Sequence, residues 1–212
     1  MKKIIAAGFL AATFVAGAME LNAPAHAGNA SHDYTTNMVE YGKTLPPIGH
    51  VTFCRARPQE CRGGATQPQR MALTTERWHE LDFINRAVNR QVRPATDAEI
   101  YATAEHWTYP ARYGDCEDYV LLKRHMLMER GWPAESLLIT VVIDRQGEGH
   151  AVLTVVTDRG DFVLDNVNDR LLAWDDTEYR FLKRQSRHHP AKWVALDRRD
   201  DRSPTRFFTS LN

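Results

Sequence analysis

The sequence predicts an α+β fold, helices first and an antiparallel sheet after them, and three observations carry this. Apolar residues recur every three or four positions at Trp78, Leu81, Ile84 and Val88, and a second buried side is offered by Val120, Leu121, Leu127 and Met128. After Gly131 and Pro133 the period changes to two, in segments rich in valine, isoleucine and leucine. Short turn signals, Gly147 with Gly149 and then Asp158-Arg159-Gly160-Asp161, join those segments as hairpins.

Taken in order, the first 27 residues read as a secretory signal. Lys2 and Lys3 give a positive start, Ile4 to Ala18 is apolar, and Ala25-His26-Ala27 offers small residues for cleavage after Ala27. The apolar run stops near Met19, short of the ~20 residues that span a bilayer, so an exported chain without a membrane span is expected. Residues 28–74 are broken by Pro46-Pro47, Gly49, Pro58, Gly63-Gly64 and Pro68 and read as an arm. Cys54 and Cys61, seven apart in this arm, are expected to pair as a disulfide, which leaves Cys116 over. Zinc is the alternative there, but no second pair of ligands stands nearby in the sequence.

Residues 75–212 carry the core, and with the arm they make one domain. Thr75 is expected to cap a helix from Glu76 to about Arg90, and Thr96-Asp97-Ala98-Glu99 has capping-box spacing. A second long helix is expected from Cys116 to about Arg130, capped by Asp115 and stopped by Gly131 and Pro133. Strands follow at Leu137–Ile143, Gly149–Thr157 and Asp161–Asp165, with two more at Tyr179–Lys183 and Lys192–Leu196. Lysine plus arginine equals aspartate plus glutamate, so the basic surplus of a nucleic-acid binder is missing. The arginines after Arg180 alternate with Asp197, Asp200 and Asp201 and read as a solvated face.

Cys116 opens its helix, where free N–H groups and the helix dipole favour a thiolate, the form that acts as a nucleophile. Gly114 would let a substrate approach the backbone, and the Cys116 N–H could serve an oxyanion. His150 begins a strand on the face shared by Val152, Thr154 and Val156. Asp165 closes the apolar strand Phe162-Val163-Leu164, and a buried carboxylate there needs a partner. A two-residue loop at Arg159-Gly160 would set Asp165 opposite Thr154, on the right face but four residues and about 13 Å from His150. Contact requires another turn position or a bulge.

Gly-Asp-Cys-Glu-Asp-Tyr at 114–119, Gly-His-Ala-Val-Leu at 149–153 and Phe-Val-Leu-Asp-Asn at 162–166 resemble the bacterial transglutaminase-like cysteine proteinases, whose LapG-type members are periplasmic adhesin proteases. The resemblance covers about residues 75–185. It implies a papain-like or transglutaminase-like core, with the nucleophile-bearing helix packed on an antiparallel sheet. It also implies a Cys116–His150–Asp165 triad performing acyl transfer through a thioester, a periplasmic location, a protein substrate such as a surface adhesin, and an inner-membrane regulatory receptor.

Acidic residues flank the nucleophile and would raise its pKa, an effect that a bound cation reverses. The resemblance implies calcium on Asp115 and Glu117; on residue chemistry alone, acids at a helix N-terminus are also explained by the dipole. Trp107, Tyr109 and Tyr113 suit either a substrate groove or the core. Three functional readings stand at this point: a peptidase, a transglutaminase-type transferase using the same thioester, and a non-catalytic binding or signalling module on this fold.

Overall fold

The computed structural model describes residues 37–198, so the expected signal at 1–27 and the pair Asp200-Asp201 lie outside the described residues. The chain runs β1 (Gly42–Thr44), α1 (Ile48–Ala56), α2 (Thr75–Gln91), β2 (Arg93–Pro94), α3 (Asp97–Tyr101), β3 (Tyr113–Gly114) and α4 (Cys116–Glu129). It continues with β4 (Leu137–Ile143), β5 (Gly149–Thr157), β6 (Gly160–Leu164), β7 (Leu172–Ala173), β8 (Arg180–Ser186) and β9 (His189–Ala195). The long strands pair antiparallel in one sheet of order β1-β9-β8-β4-β5-β6-β7, and β2 pairs parallel with β3 beside it. The α+β expectation holds.

Alternation explains the layers. Ile139, Val141, Ala151, Leu153, Val155, Phe162 and Leu164 turn to one face and join Leu81, Ile84, Val88, Val120 and Leu127 from α2 and α4 in the main core. The opposite face gathers Val142, Val152, Val163 and Phe181 with Met38. Burying each such side chain contributes about 1.5–3 kcal/mol. The cap of α2 falls one residue earlier than expected: Thr74, not Thr75, accepts from Arg77 N. The capping box at Thr96 and Glu99 forms as expected.

The arm is more structured than its broken sequence suggests. β1 adds the outermost strand against β9, and α1 holds Cys54 in a disulfide with Cys61. His50 lies against both sulfurs and accepts from Trp193 Nε1 at 3.2 Å, a neighbour that sequence spacing could not show. Arg184 departs from the solvated-face reading. It is buried and pairs with Asp161 at 2.7 Å and Glu40 at 3.0 Å, while Asp161 also accepts from Asn37 and from Met38 N.

Candidate active site

Two elements bring the site together, the N-terminus of α4 and the β5–β6 hairpin. Cys116 is the free cysteine among the described residues and heads α4, half buried. Asp115 occupies the N-cap position in extended geometry but makes no side-chain cap bond, contrary to the capping expectation. Its carboxylate instead accepts from Asp97 N at 3.3 Å.

The hairpin register differs from the expected one. The loop residues are Asp158-Arg159, with Thr157 opposite Gly160, because the Thr157 hydroxyl ties the turn by donating to Gly160 O and accepting from Arg159 N. Leu153 therefore faces Leu164, and Asp165 comes to the level of Val152, two residues from His150 rather than four. Diagonal neighbours on one sheet face lie within reach of long side chains. His150 Nε2 meets Asp165 Oδ1 at 2.9 Å without a bulge between these strands.

Asp165 is 4% exposed, and burial alone would push its pKa up. The hydrogen bond and charge of His150, the hydroxyl of Tyr179 and the Val167 N–H outweigh burial and hold it below the usual carboxylate range. An ionised Asp165 accepts, so Nε2 of His150 carries the proton and Nδ1 is left as the basic nitrogen. Sequence reasoning missed Tyr179. Its hydroxyl donates to Asp165 Oδ2, and its ring centroid lies 5.6 Å from that of His150.

The sulfur makes no hydrogen bond to His150 in this structure. The thiol donates to Glu117 Oε2 at 3.2 Å, while the N–H of Ala151, next to His150, acts on the sulfur from β5. Burial, then the charges of Glu117 and Asp115, push the Cys116 pKa well above that of a free thiol. This arrangement favours the thiol over the thiolate.

The acidic surroundings are wider than the sequence suggested. The parallel pairing of β2 with β3 sets the start of α3 beside that of α4. Carboxylate oxygens of Asp97, Asp115 and Glu117 consequently lie within 4.8 Å of one another. The two residues expected from sequence are there, and Asp97 joins them. Oδ1 of Asp97 and Oδ1 of Asp115 are buried without a hydrogen-bond partner among the described residues. Burial first and neighbouring carboxylates next raise the pKa of Asp115, push that of Glu117 well up, and bring Glu105 to about 7. Partnerless hard oxygens crowded in this way fit a hard divalent cation of the calcium type.

Two expectations around Cys116 change. A Cβ at Gly114 would come within 2.7 Å of Asp118 Oδ2 and 3.1 Å of Pro110 Cβ, so this glycine serves close internal packing and not substrate approach. Trp107 and Tyr109 belong to the core, against His50 and Phe53, and Tyr113 alone of the three aromatics is exposed.

Residues 40–201 match the family described as bacterial transglutaminase-like cysteine proteinase. The chain belongs to that family. As a bacterial transglutaminase-like cysteine proteinase it is a cysteine peptidase, and the layered core is that of its family. Among solved structures it is similar to Legionella pneumophila LapG, at 22% identity and a TM-score of 0.47 over 55% of this chain and 66% of that one. It is also similar to the calcium-bound form of the same protein, at 22% identity and 0.47 over 63% and 74%, and to the EGTA-treated form, at 23% and 0.48 over 56% and 67%. No curated protein matches the sequence.

Proposed function

We propose that this peptidase cleaves an amide bond of a protein substrate with Cys116 as nucleophile, His150 as base and Asp165 as the group that orients and charges the histidine. The observation that carries the reading is the 2.9 Å bond between His150 Nε2 and Asp165 Oδ1, formed at the strand start beside Cys116. Nδ1 of His150 takes the thiol proton as Sγ adds to the carbonyl carbon, with the Cys116 N–H facing the oxyanion. The imidazolium returns that proton to the leaving amine, and a thioester remains. Water, deprotonated by Nδ1, then adds to the thioester, and Cys116 leaves with its proton restored.

For the first step the thiol turns from Glu117 toward His150. We assign calcium to Asp97, Asp115 and Glu117, where it would supply positive charge against the acids that raise the thiol pKa. The signal features at Lys2, Lys3, Ile4–Ala18 and Ala25-His26-Ala27 support export, and the family resemblance supports the periplasm, an adhesin-like substrate and an inner-membrane receptor. The mature protein in calcium is labelled with iodoacetamide across pH. Fast labelling of Cys116 below pH 7 that is lost in His150→Ala is the expected result. An ordinary thiol profile, indifferent to His150→Ala, removes the triad and leaves a binding module. Addition of an amine acceptor during turnover separates hydrolysis from transfer.

A further inference from the structure

A small cavity of about 210 Å³ opens between the arm and the sheet. Its walls come from separate segments: Arg62 and Gly64 of the arm, Arg124 of α4, Glu135 just before β4, and Gln185 and Arg187 at the end of β8 and in the turn after it. Arg124 lies eight residues beyond Cys116 in α4, about 12 Å along the axis, so the cavity is separate from the candidate active site. The arm passes so near the β8–β9 turn that a Cβ at Gly64 would strike His188 O.

Three guanidiniums line this space, and one of them is enclosed. Arg124 is 4% exposed. Its Nε donates to Leu137 O at 3.0 Å, while the Glu60 carboxylate stands off at 4.0 Å, outside hydrogen-bond reach. An ion held out of water needs close partners in place of the solvent, and Arg124 is left with a carbonyl and a distant carboxylate. Arg187 is held by carbonyls, with Nε donating to Glu135 O at 3.4 Å and Nη2 to Pro68 O at 3.2 Å. Burial first, and then the charges of Arg70 and Arg184, lower the Arg187 pKa. Arg184 itself is engaged by Asp161 and Glu40. Glu135 brings the one carboxylate of the cavity wall, so the space keeps a positive balance even with Glu60 counted.

We propose that this cavity binds a small oxyanion of the phosphate or sulfate class, held by Arg62, Arg124 and Arg187, which ties the arm to α4 and to the β8–β9 turn. Guanidinium groups present paired N–H donors that match the oxygens of such anions. The volume suits a small ion and falls short of the ~300 Å³ at which pockets for larger ligands begin. A dianion there would set negative charge against Arg124 at the distance Glu60 does not reach. The inference does not depend on the Cys116–His150–Asp165 reading.

The test is thermal melting of the full mature protein and of a variant carrying Arg62→Gln and Arg187→Gln, in sodium sulfate or sodium chloride at equal ionic strength, without added calcium. In the unsubstituted protein the midpoint is expected to climb with sulfate, by roughly 5–10 °C at a hundred times the dissociation constant. In the double variant it is expected to follow chloride. Equal gains from sulfate in both proteins mean a general salt effect and overturn the proposal, and so does a midpoint in sulfate that never departs from chloride. Malonate, a dicarboxylate, serves as the third anion. A gain with malonate and none with sulfate or phosphate overturns the assigned class. If the double variant does not fold, phenylglyoxal modification of the unsubstituted protein decides, read by peptide mass spectrometry. Sulfate is expected to slow modification of Arg62 and Arg187 roughly threefold or more and to leave the exposed Arg55 and Arg90 unchanged. Rates that sulfate leaves uniform overturn the proposal.

Discussion

Tyr179 and His150 grip opposite oxygens of one carboxylate: the tyrosine hydroxyl donates to Asp165 Oδ2 at 2.5 Å, and the imidazole Nε2 donates to Oδ1 at 2.9 Å. Two donors fix the plane of the carboxylate and so the direction of Nδ1. Tyr179→Phe keeps the ring beside His150 and removes one charge-assisted hydrogen bond, of a kind that contributes roughly 1.5–3 kcal/mol. We expect kcat/KM to fall about tenfold with the far-ultraviolet circular dichroism unchanged. Asp165→Asn, which reverses the tautomer preference of His150, is expected to cost at least another factor of ~100. Steady-state kinetics on a peptide substrate compare the two.

Calcium should act on stability as well as on the thiol. Burial and neighbouring carboxylates raise the pKa values of Asp115 and Glu117, so without a bound cation they bind protons more tightly folded than unfolded. Their stabilising effect is complete below the usual carboxylate pKa and is lost as pH rises toward the folded values. Thermal melts of chelated protein should therefore worsen from pH 5 to pH 8, and calcium should restore more at pH 8 than at pH 5. Asp97→Asn should weaken that restoration as much as Asp115→Asn does, measured as the calcium concentration needed for half the gain.

His50 gives a separate acid sensitivity. Burial first, and then the charge of Arg124, lower its pKa from 6.5 to about 4. A group depressed in this way contributes stability that is present above pH 6.5 and lost as pH falls through 4. The difference converts to about 3 kcal/mol at ~1.36 kcal/mol per unit. Urea melts at pH 6.5 and pH 4 measure it, and His50→Gln should flatten the slope between them.

The sheet also depends on one enclosed ion pair. Asp161 and Arg184 are almost fully buried, and Glu40 and Asn37 complete their bonding. Asp161→Ala leaves a buried guanidinium facing one partner fewer and is expected to cost about 3–5 kcal/mol in chemical denaturation. Replacing both residues with apolar ones of similar size should cost less than either single change.

How far the sequence foretold this site depends on distance along the chain. The strands were legible because valine, isoleucine and leucine alternate in them, and α4 was legible because Gly131 and Pro133 stop it. Cys116, His150 and Asp165 were legible as types on the right faces. Their spacing was not, because a turn moved by one residue alters every cross-strand partner, and Thr157 rather than a glycine sets the turn. Asp97 stayed hidden because its capping-box setting explained it locally, whereas its place beside Asp115 depends on the β2–β3 pairing. Lys123 and Tyr179 belong to patterns that read as an ordinary helix and a strand end. Only packing shows that the Tyr179 hydroxyl meets Asp165 and that Lys123 is enclosed.

β1 has a consequence beyond adding a strand. Gly42, Lys43 and Thr44 occupy the hydrogen-bonding edge of β9 opposite Ala195, Val194 and Trp193. A chain trimmed to begin at Thr75 would bare that edge, with buried Trp193 and Ala195 along it, and an open edge of this sort templates strand addition from another molecule. The segment that looks dispensable in sequence thus covers one edge of the sheet, and a chain trimmed to begin at Thr75 is expected to self-associate, measured by light scattering beside the full mature protein.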